Sequence, residues 1–394
     1  MGSLTRKAAI VGVAESDIGS TPGKSPLELM AQAAKRALDD AGLKKEDIDG
    51  LCWAAFGGSI LDVGEYLQIM PKWCDSTQYG GSSFDAHVGH AAAAIAAGLC
   101  ETVLVVMGTT NVADRELRGT MGGGGGAGGG GGERGGSAFS GRVYGLGGPV
   151  TNYSMAATRH MHLYGTTMEQ LAAVAVSTRE WALLNPISWA VQNKKGHLTV
   201  QEVLNSPMIS YPLHQMDCCL VTDAGGAVIV TTPERARTLK KKPVWILGFG
   251  EHFTHNAITY MPDITVTPAV ESGKAALKMA GLTHKDIDFV QTYDSFTITT
   301  LLALEDLGFC KKGEGGAFFA DQHTAPGGSF PVNTSGGGLS YTHPGMFGIF
   351  LLIEATRQLR GECGERQVKN AEVGIANGMG GLLSSAATVV LGKD

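Results

Sequence analysis

The chain has 394 residues, 43% of them hydrophobic and 17% charged, and a net charge of -6. That length suggests two domains or one large duplicated unit, and that composition a globular protein with a sizeable core. The charges are spread along the chain, which argues against a nucleic-acid surface, and no apolar run reaches membrane-spanning length.

The N-terminal apolar run is too short for a signal peptide and reads as a first strand, Lys7 to Val13. Ser25, Pro26 and Glu28 have the spacing of a capping box with proline at the first helical position. They predict a helix that runs to Gly42. Ile48 to Ala55 is the second predicted strand. Thr77 to Gly98 holds Gly-Gly-Ser-Ser followed by an alanine-rich helix. A glycine turn feeding a helix gathers free amides at the positive end of the helix dipole, a place for an oxyanion or for tight packing. Glu101 to Gly108 is an apolar strand ending in glycine. Thr120 to Gly136 contains MGGGGGAGGGGGERGG, and a mobile loop is expected there. Two helices are predicted next, about Tyr153 to His162 and Thr167 to Leu184, before a polar, turn-rich stretch from Asn193 to Leu213. Asp217 to Thr231 reads as a loop, a glycine pair and a strand.

The seven cysteines (Cys52, Cys74, Cys100, Cys218, Cys219, Cys310 and Cys363) are scattered and show no zinc-type spacing. The adjacent Cys218 and Cys219 are expected to be buried thiols. The expectation is a reduced, cytoplasmic protein with no metal site of its own.

The second half repeats the first. Lys35 to Leu43, followed by Asp47-Ile48-Asp49, returns 239 residues later as Lys274 to Leu282 and Asp286-Ile287-Asp288. Shared Ala-Gly-Leu and Asp-Ile-Asp at one offset indicate a duplicated helix–strand unit. Val244 to Phe249 and Phe289 to Thr292 are predicted strands, with Tyr293-Asp294-Ser295-Phe296 at the end of the latter, where ligands bind in α/β sheets. A helix is predicted from Thr297 to Leu307, another from Ile349 to Leu359, and a strand from Glu372 to Gly378. Between them, Pro331 to Gly348 joins a run of three glycines, Gly336 to Gly338, with Tyr341, His343 and Pro344 in one segment. Glycine there permits close approach or positive φ. A histidine on such a loop can act as a general base or support an oxyanion, and it can equally be incidental to a turn.

With the repeat, the Gly80–Ser83 turn, Thr222 to Ala227 and the His343-Pro344 loop in place, the chain resembles the thiolase superfamily over essentially its whole length. It is most similar to sterol-carrier-protein-type thiolases and thiolase-like aldolases. The resemblance implies an α/β thiolase fold. Two duplicated α-β-α-β-α halves, 1–240 and 241–394, would form a five-layered α/β/α/β/α structure. A long loop insertion at about 110–215 would include the poly-glycine run 122–136.

Thiolases use a nucleophilic cysteine at the start of a buried helix, a histidine in a Gly-His-Pro loop, and often a second cysteine. His343 matches the histidine, preceded here by Thr342 instead of glycine. Counting back seventeen residues from Gly98 puts Gly81 at the nucleophile position, and a shift of one or two puts Ser82 or Ser83 there. Tyr293-Asp294-Ser295-Phe296 stands where the sterol-carrier type has His-Asp-Cys-Phe, and Asn377 to Gly381 matches the C-terminal glycine-rich segment without a cysteine. Thiolysis needs a thiolate to carry the acyl group. Without one, the resemblance points to a lyase that cleaves a β-hydroxyacyl-CoA by retro-aldol chemistry. Its expected catalytic residues are His343, Tyr293 and Tyr341. Gly81, Ser82, Ser83, Asn377 and Gly380 would serve the oxyanion and substrate. An acyltransferase and a non-catalytic acyl-CoA or lipid-binding scaffold are the alternatives. Coenzyme A would enter as part of the substrate, with no covalent cofactor. The resemblance further implies a homodimer formed through the Glu101–Gly108 strand and a small partner with a zinc ribbon and an oligonucleotide-binding-like fold. It puts a steroid substrate in doubt, since a family tyrosine is replaced by His343.

Overall fold

The computed structural model describes residues 4–54, 58–113 and 148–393. The expected poly-glycine loop at 122–136 lies outside the described residues. Strands β1 (Ala9–Glu15), β2 (Gly50–Trp53), β3 (Trp73–Asp75), β4 (Thr102–Thr110), the hairpin pair β5 (Met208–Ser210) and β6 (Leu213–His214), β7 (Asp223–Thr231), β8 (Val244–Phe253), β9 (Phe289–Thr292), β10 (Val373–Gly380) and β11 (Ser385–Gly392) occur in chain order. The helices that matter for the site are α1 (Pro26–Ala41), α2 (Ile60–Leu67), α3 (Ser83–Ala96), α4 (Pro149–Tyr164), α5 (Met168–Leu183), α6 (Ala269–Ala280), α7 (Thr297–Asp306) and α8 (Gly348–Arg360).

Helix α1 forms where the sequence signals it. The Ser25 hydroxyl accepts the Glu28 amide at 3.2 Å, the Glu28 carboxylate accepts the Ser25 amide at 2.7 Å, and Gly42 closes the helix at φ 72°. Burying Leu29, Met30, Ala33 and Ala37 turns the apolar stripe of α1 onto β1, β4 and β7.

The strands run in the order β3-β2-β4-β7-β1-β8-β11-β10-β9. Strands β1 and β8 meet through only two registered pairs, Ala9 with Trp245 and Ile10 with Val244, so the array is two sheets hinged at a narrow seam. Outward from that seam, β1-β7-β4-β2 and β8-β11-β10-β9 repeat one pattern of two antiparallel pairs and one parallel pair. The duplicated sequence unit is thus a duplicated sheet.

Helix α1 covers the outer face of the first sheet, and α6 that of the second. Helices α3 and α8 lie between the sheets, each touching strands of both. Layering of this depth demands close contacts. A methyl group on Gly12 would lie 2.4 Å from the Ala37 carbonyl oxygen of α1, and one on Gly248 would lie 2.1 Å from the Ala276 carbonyl oxygen of α6. The two glycines let each outer helix settle directly on its sheet.

Several elements escape the sequence reading, α2, β3 and β11 among them. Helix α2 and the three-residue β3 are short, and β11 is buried at all eight positions and so carries no alternation to read. The expected dimer strand also needs correction. Strand β4 is paired on both sides, to β2 and β7, and has no edge to offer a second copy; β3 is the outer strand of that sheet. Cys218 and Cys219 are half-buried, not buried, and unpaired.

Candidate active site

The site forms where the two halves meet, at the start of α3. Strand β9 delivers Tyr293 beside β10, with the Tyr293 amide donating to the Asn377 carbonyl at 3.1 Å. The Gly80–Ser82 turn of the first half approaches the same point. A methyl group on Gly81 would lie 2.2 Å from Tyr293 Cε2 and 2.3 Å from the Met379 carbonyl oxygen. The ring of Tyr293 therefore fills the space a side chain at position 81 would need. Apart from Gly81 itself, neither neighbouring serine is free to act there. Ser82 Oγ is hydrogen-bonded to Ser385 Oγ at 2.8 Å, and Ser83 Oγ accepts the Tyr79 amide at 2.8 Å.

The Tyr293 hydroxyl lies 3.0 Å from His343 Nε2, with the rings edge to face at 87°. Phe347 packs on both rings, stacked on the imidazole at 6.2 Å and edge to face with Tyr293 at 6.0 Å. Burial drives the His343 pKa down from 6.5 to about 4, so the imidazole is neutral near pH 7 and one ring nitrogen can accept the phenol proton. Burial, with Cys219 and Tyr153 nearby, pushes the Tyr293 phenol well above its ordinary 10, so it is a protonated donor at rest. A neutral base and a neutral acid thus share one hydrogen bond in a water-poor pocket.

His343 is held by backbone. Its amide donates to Thr222 Oγ1 at 2.9 Å, and that hydroxyl is bonded to Thr342 Oγ1 at 2.8 Å. The glycine run serves Asp294. The Gly338 and Leu339 amides donate to the two Asp294 oxygens at 2.6 and 3.2 Å. Gly337 has φ +55°, and a methyl there would meet Asp294 Oδ2 at 2.0 Å. Even with these donors, burial lifts Asp294 to about 7.

The other expected site residues sit elsewhere. Tyr341 ends a π-helical turn, Gly337–Tyr341, and its hydroxyl is engaged away from the Tyr293–His343 pair. Its hydroxyl donates to Glu15 Oε1 at 2.7 Å, and Arg357 clamps both Glu15 oxygens at 2.6 Å. Burial would raise Glu15, but the Arg357 charge and the two donors outweigh it and hold it ionised below its ordinary range. Tyr341 therefore anchors the loop to the first half and lies outside the reacting pair. Asn377 spends its side chain within the second sheet, accepting from Thr292 and donating to Thr388. At Gly380 a methyl would meet the Tyr79 carbonyl oxygen at 2.0 Å, so that glycine is a close-packing position. Tyr153 of α4 was not foreseen. Its ring packs on Phe296 at 4.7 Å and its hydroxyl donates to the Gly381 carbonyl at 3.2 Å. It packs beside Tyr293-Asp294-Ser295-Phe296 through Phe296, and no local motif marks it.

Residues 250–393 match the family described as thiolase C-terminal domain-like. An acetyl-CoA acetyltransferase of Methanothermobacter thermautotrophicus is 32% identical over 98% of this chain and 100% of its own. The 17-hydroxy-3-oxo-4-pregnene-20-carboxyl-CoA lyase of Mycobacterium tuberculosis is 35% identical over 91% of this chain and 92% of its own. The solved Ltp2–ChsH2(DUF35) aldolase is 31% identical, superposes with a TM-score of 0.88, and shares 100% of this chain and 99% of its own. With that likeness over nearly its full length, and with helices α3 and α8 enclosed between two copies of one sheet, the chain belongs to the thiolase superfamily.

Proposed function

We propose that this protein cleaves the Cα–Cβ bond of a β-hydroxyacyl-CoA by a retro-aldol reaction without a covalent acyl-enzyme. The observation that carries this is Tyr293, whose ring fills the space of a residue-81 side chain and whose hydroxyl bonds His343 Nε2 at 3.0 Å. The β-hydroxyl proton passes to the Tyr293–His343 pair. The Cα–Cβ electrons move onto the thioester as an enolate, and the Cβ carbon leaves as an aldehyde or ketone. The enolate then takes a proton at Cα. Amides of the Gly81–Ser82 turn, which have no intrahelical acceptor of their own, face the developing negative charge at the positive end of α3. Coenzyme A takes part as the carrier of the acyl group.

The likeness to the lyase and the aldolase supports this reading. That aldolase is named with a ChsH2(DUF35) component, and we infer a comparable small partner here, the zinc-ribbon protein that the resemblance implies. We further infer a homodimer, with the β3 edge and the exposed Leu61, Tyr66 and Met70 beside it as the surface. A reducing cytoplasm suits seven unpaired thiols.

The likeness to an acetyltransferase favours a second reading, acyl transfer through a nucleophile. Rapid quenching with a β-hydroxyacyl-CoA and intact-mass analysis separates the two. The lyase releases a carbonyl compound and a shortened acyl-CoA with no mass added to the protein. An acyl adduct on any side chain would sink the lyase reading.

A further inference from the structure

One buried ionisable group at the centre of the molecule has no part in the chemistry above. Asp85 lies on α3, one helical turn beyond Gly81, and is completely buried. Neither of its carboxyl oxygens has a hydrogen-bond partner among the described residues. Phe84, Ala86, Val88 and the alanines that follow give this helix an apolar surface with no packing need for a carboxyl, and burying an unpaired one is unfavourable even when it is neutral.

Two glycines from distant parts of the chain make room for it. A methyl group on Gly348, at the start of α8, would meet Asp85 Oδ2 at 2.4 Å and the Gly81 carbonyl oxygen at 2.3 Å. A methyl on Gly378, in β10, would meet Asp85 Oδ2 at 2.2 Å and Ser82 Cα at 2.8 Å. The carboxyl therefore shares one small space with the Gly81 carbonyl oxygen and the Ser82 backbone. A carboxyl oxygen and a carbonyl oxygen that border one gap in a buried interior repel each other, and the repulsion is relieved when the carboxyl keeps its proton.

We propose that Asp85 is a positioning residue: a neutral carboxylic acid that donates its proton to the Gly81 carbonyl and so holds the Gly81–Ser82 peptide with its amide toward the reacting thioester. Burial pushes Asp85 well above its ordinary range, in keeping with a proton retained near neutral pH. The role explains why the unpaired group is kept at a buried position, since rules of local satisfaction are broken mainly where function requires it. It also explains the pairing of Gly348 and Gly378, which have no turn to make at that point.

The inference rests on the retro-aldol reading for its kinetic arm but not for its spectroscopic one. Infrared difference spectra of the full-length wild type against Asp85→Asn at pH 7 are expected to show a protonated carboxyl band that only the wild type has. A carboxylate band instead would overturn the proposal whatever the protein catalyses. For the kinetic arm, Asp85→Asn keeps a donor of the same shape and is expected to hold kcat within about threefold, while Asp85→Ala lowers kcat at least tenfold with KM unchanged. Thermal unfolding of both variants checks that the loss in Asp85→Ala is not a loss of folded protein. Equal losses in the two variants, or a kcat in Asp85→Ala that matches the wild type, would also overturn it.

Discussion

Helices α3 and α8 occupy equivalent places in the two halves, yet they bring different things to the site. Helix α3 begins in the Gly80–Ser82 turn and offers backbone: amides at its first turn and a glycine with no side chain to intervene. Helix α8 begins behind the His343-Pro344 loop, and its half supplies the side chains, His343 from that loop and Tyr293 from the end of β9. The duplicated frame sets both starts within reach of one pocket because both helices are enclosed between the same two sheets. What differs is the material each half presents. In a thiolase the first half also contributes a nucleophilic side chain. Here the second half has taken over that volume, since the Tyr293 ring lies where a side chain at position 81 would be. Backbone amides on one side and a hydrogen-bonded phenol and imidazole on the other suit the proposed reaction, which passes through an enolate and needs no acyl carrier.

The sharpest break of this division is Tyr293→Phe. The ring stays and still fills the space beside Gly81, but the proton donor is gone. We expect kcat to fall by about 10²–10⁴-fold, the usual worth of a positioned acid or base. Stability should fall by only about 1–3 kcal/mol, the cost of leaving His343 Nε2 unpaired. A variant with more than a tenth of wild-type kcat would remove Tyr293 from the mechanism. Next in size is the reciprocal change, Gly81→Ala. Its methyl meets an aromatic ring at 2.2 Å and a carbonyl oxygen at 2.3 Å, and neither is the far end of a flexible chain. Overpacking should cost about 1–3 kcal/mol, and displacing the Tyr293 ring by even an ångström about 10²-fold in rate. Gly81→Cys should suffer the same clash and gain no thiolase activity, which an acyl-CoA exchange assay would reveal.

Acid pH probes the side-chain half alone. His343 titrates at about 4 in the folded protein against an ordinary 6.5. The unfolded chain therefore takes up this proton first as the pH falls. The stability contribution of the neutral imidazole is complete above pH 6.5 and is lost between 6.5 and about 4. The base itself stays active over that window, so kcat/KM is expected to lack a histidine limb near 6.5 and to fall only as pH approaches 4. Asp294, lifted to about 7 and facing loop amides, is the other group that titrates nearby. Its conversion in Asp294→Asn should leave the limb near 4 in place. A limb at 6.5 that survives in Asp294→Asn would mean His343 is solvated in the working enzyme.

Much of this was readable from the residues because the signals were local. The Ser25 box, the Gly42 stop and the repeated Ala-Gly-Leu units specify elements through contacts a few residues apart. Tyr293 and His343, which the structure brings into contact, stand out in the sequence because each sits in a recognisable motif. Much of the rest depends on residues far away in sequence or on burial that leaves no local pattern. Strand β11 is buried on both faces, so its pattern has no period to detect. Strand β4 looked like an interface until β7, more than a hundred residues on, was seen to pair its second side. Asp85 is unremarked among alanines until Gly348 and Gly378 converge on it. Two residues of spacing from His343 suggest proximity for Tyr341, whereas its hydroxyl is bonded to Glu15 of the first half.

Tyr341 also provides the mildest test, because it is the tyrosine whose role is to join the halves instead of reacting. Tyr341→Phe removes one hydrogen bond to a carboxylate, worth about 1.5–3 kcal/mol when the acceptor is charged. The loss should lie toward the lower end of that range. Glu15 is not left alone, because Arg357 still holds both its oxygens, and the phenyl ring keeps its packing against Phe347 and Phe350. The His343 loop keeps its own tethers, the Thr222 bonds to the His343 amide and to Thr342. Unfolding should therefore shift by a few degrees while kcat stays within about tenfold, the opposite pattern to Tyr293→Phe. If Tyr341→Phe instead lost as much kcat as Tyr293→Phe, the anchoring role would fail, and the phenol of Tyr341 would have to reach the substrate in a conformation with the Glu15 bond broken.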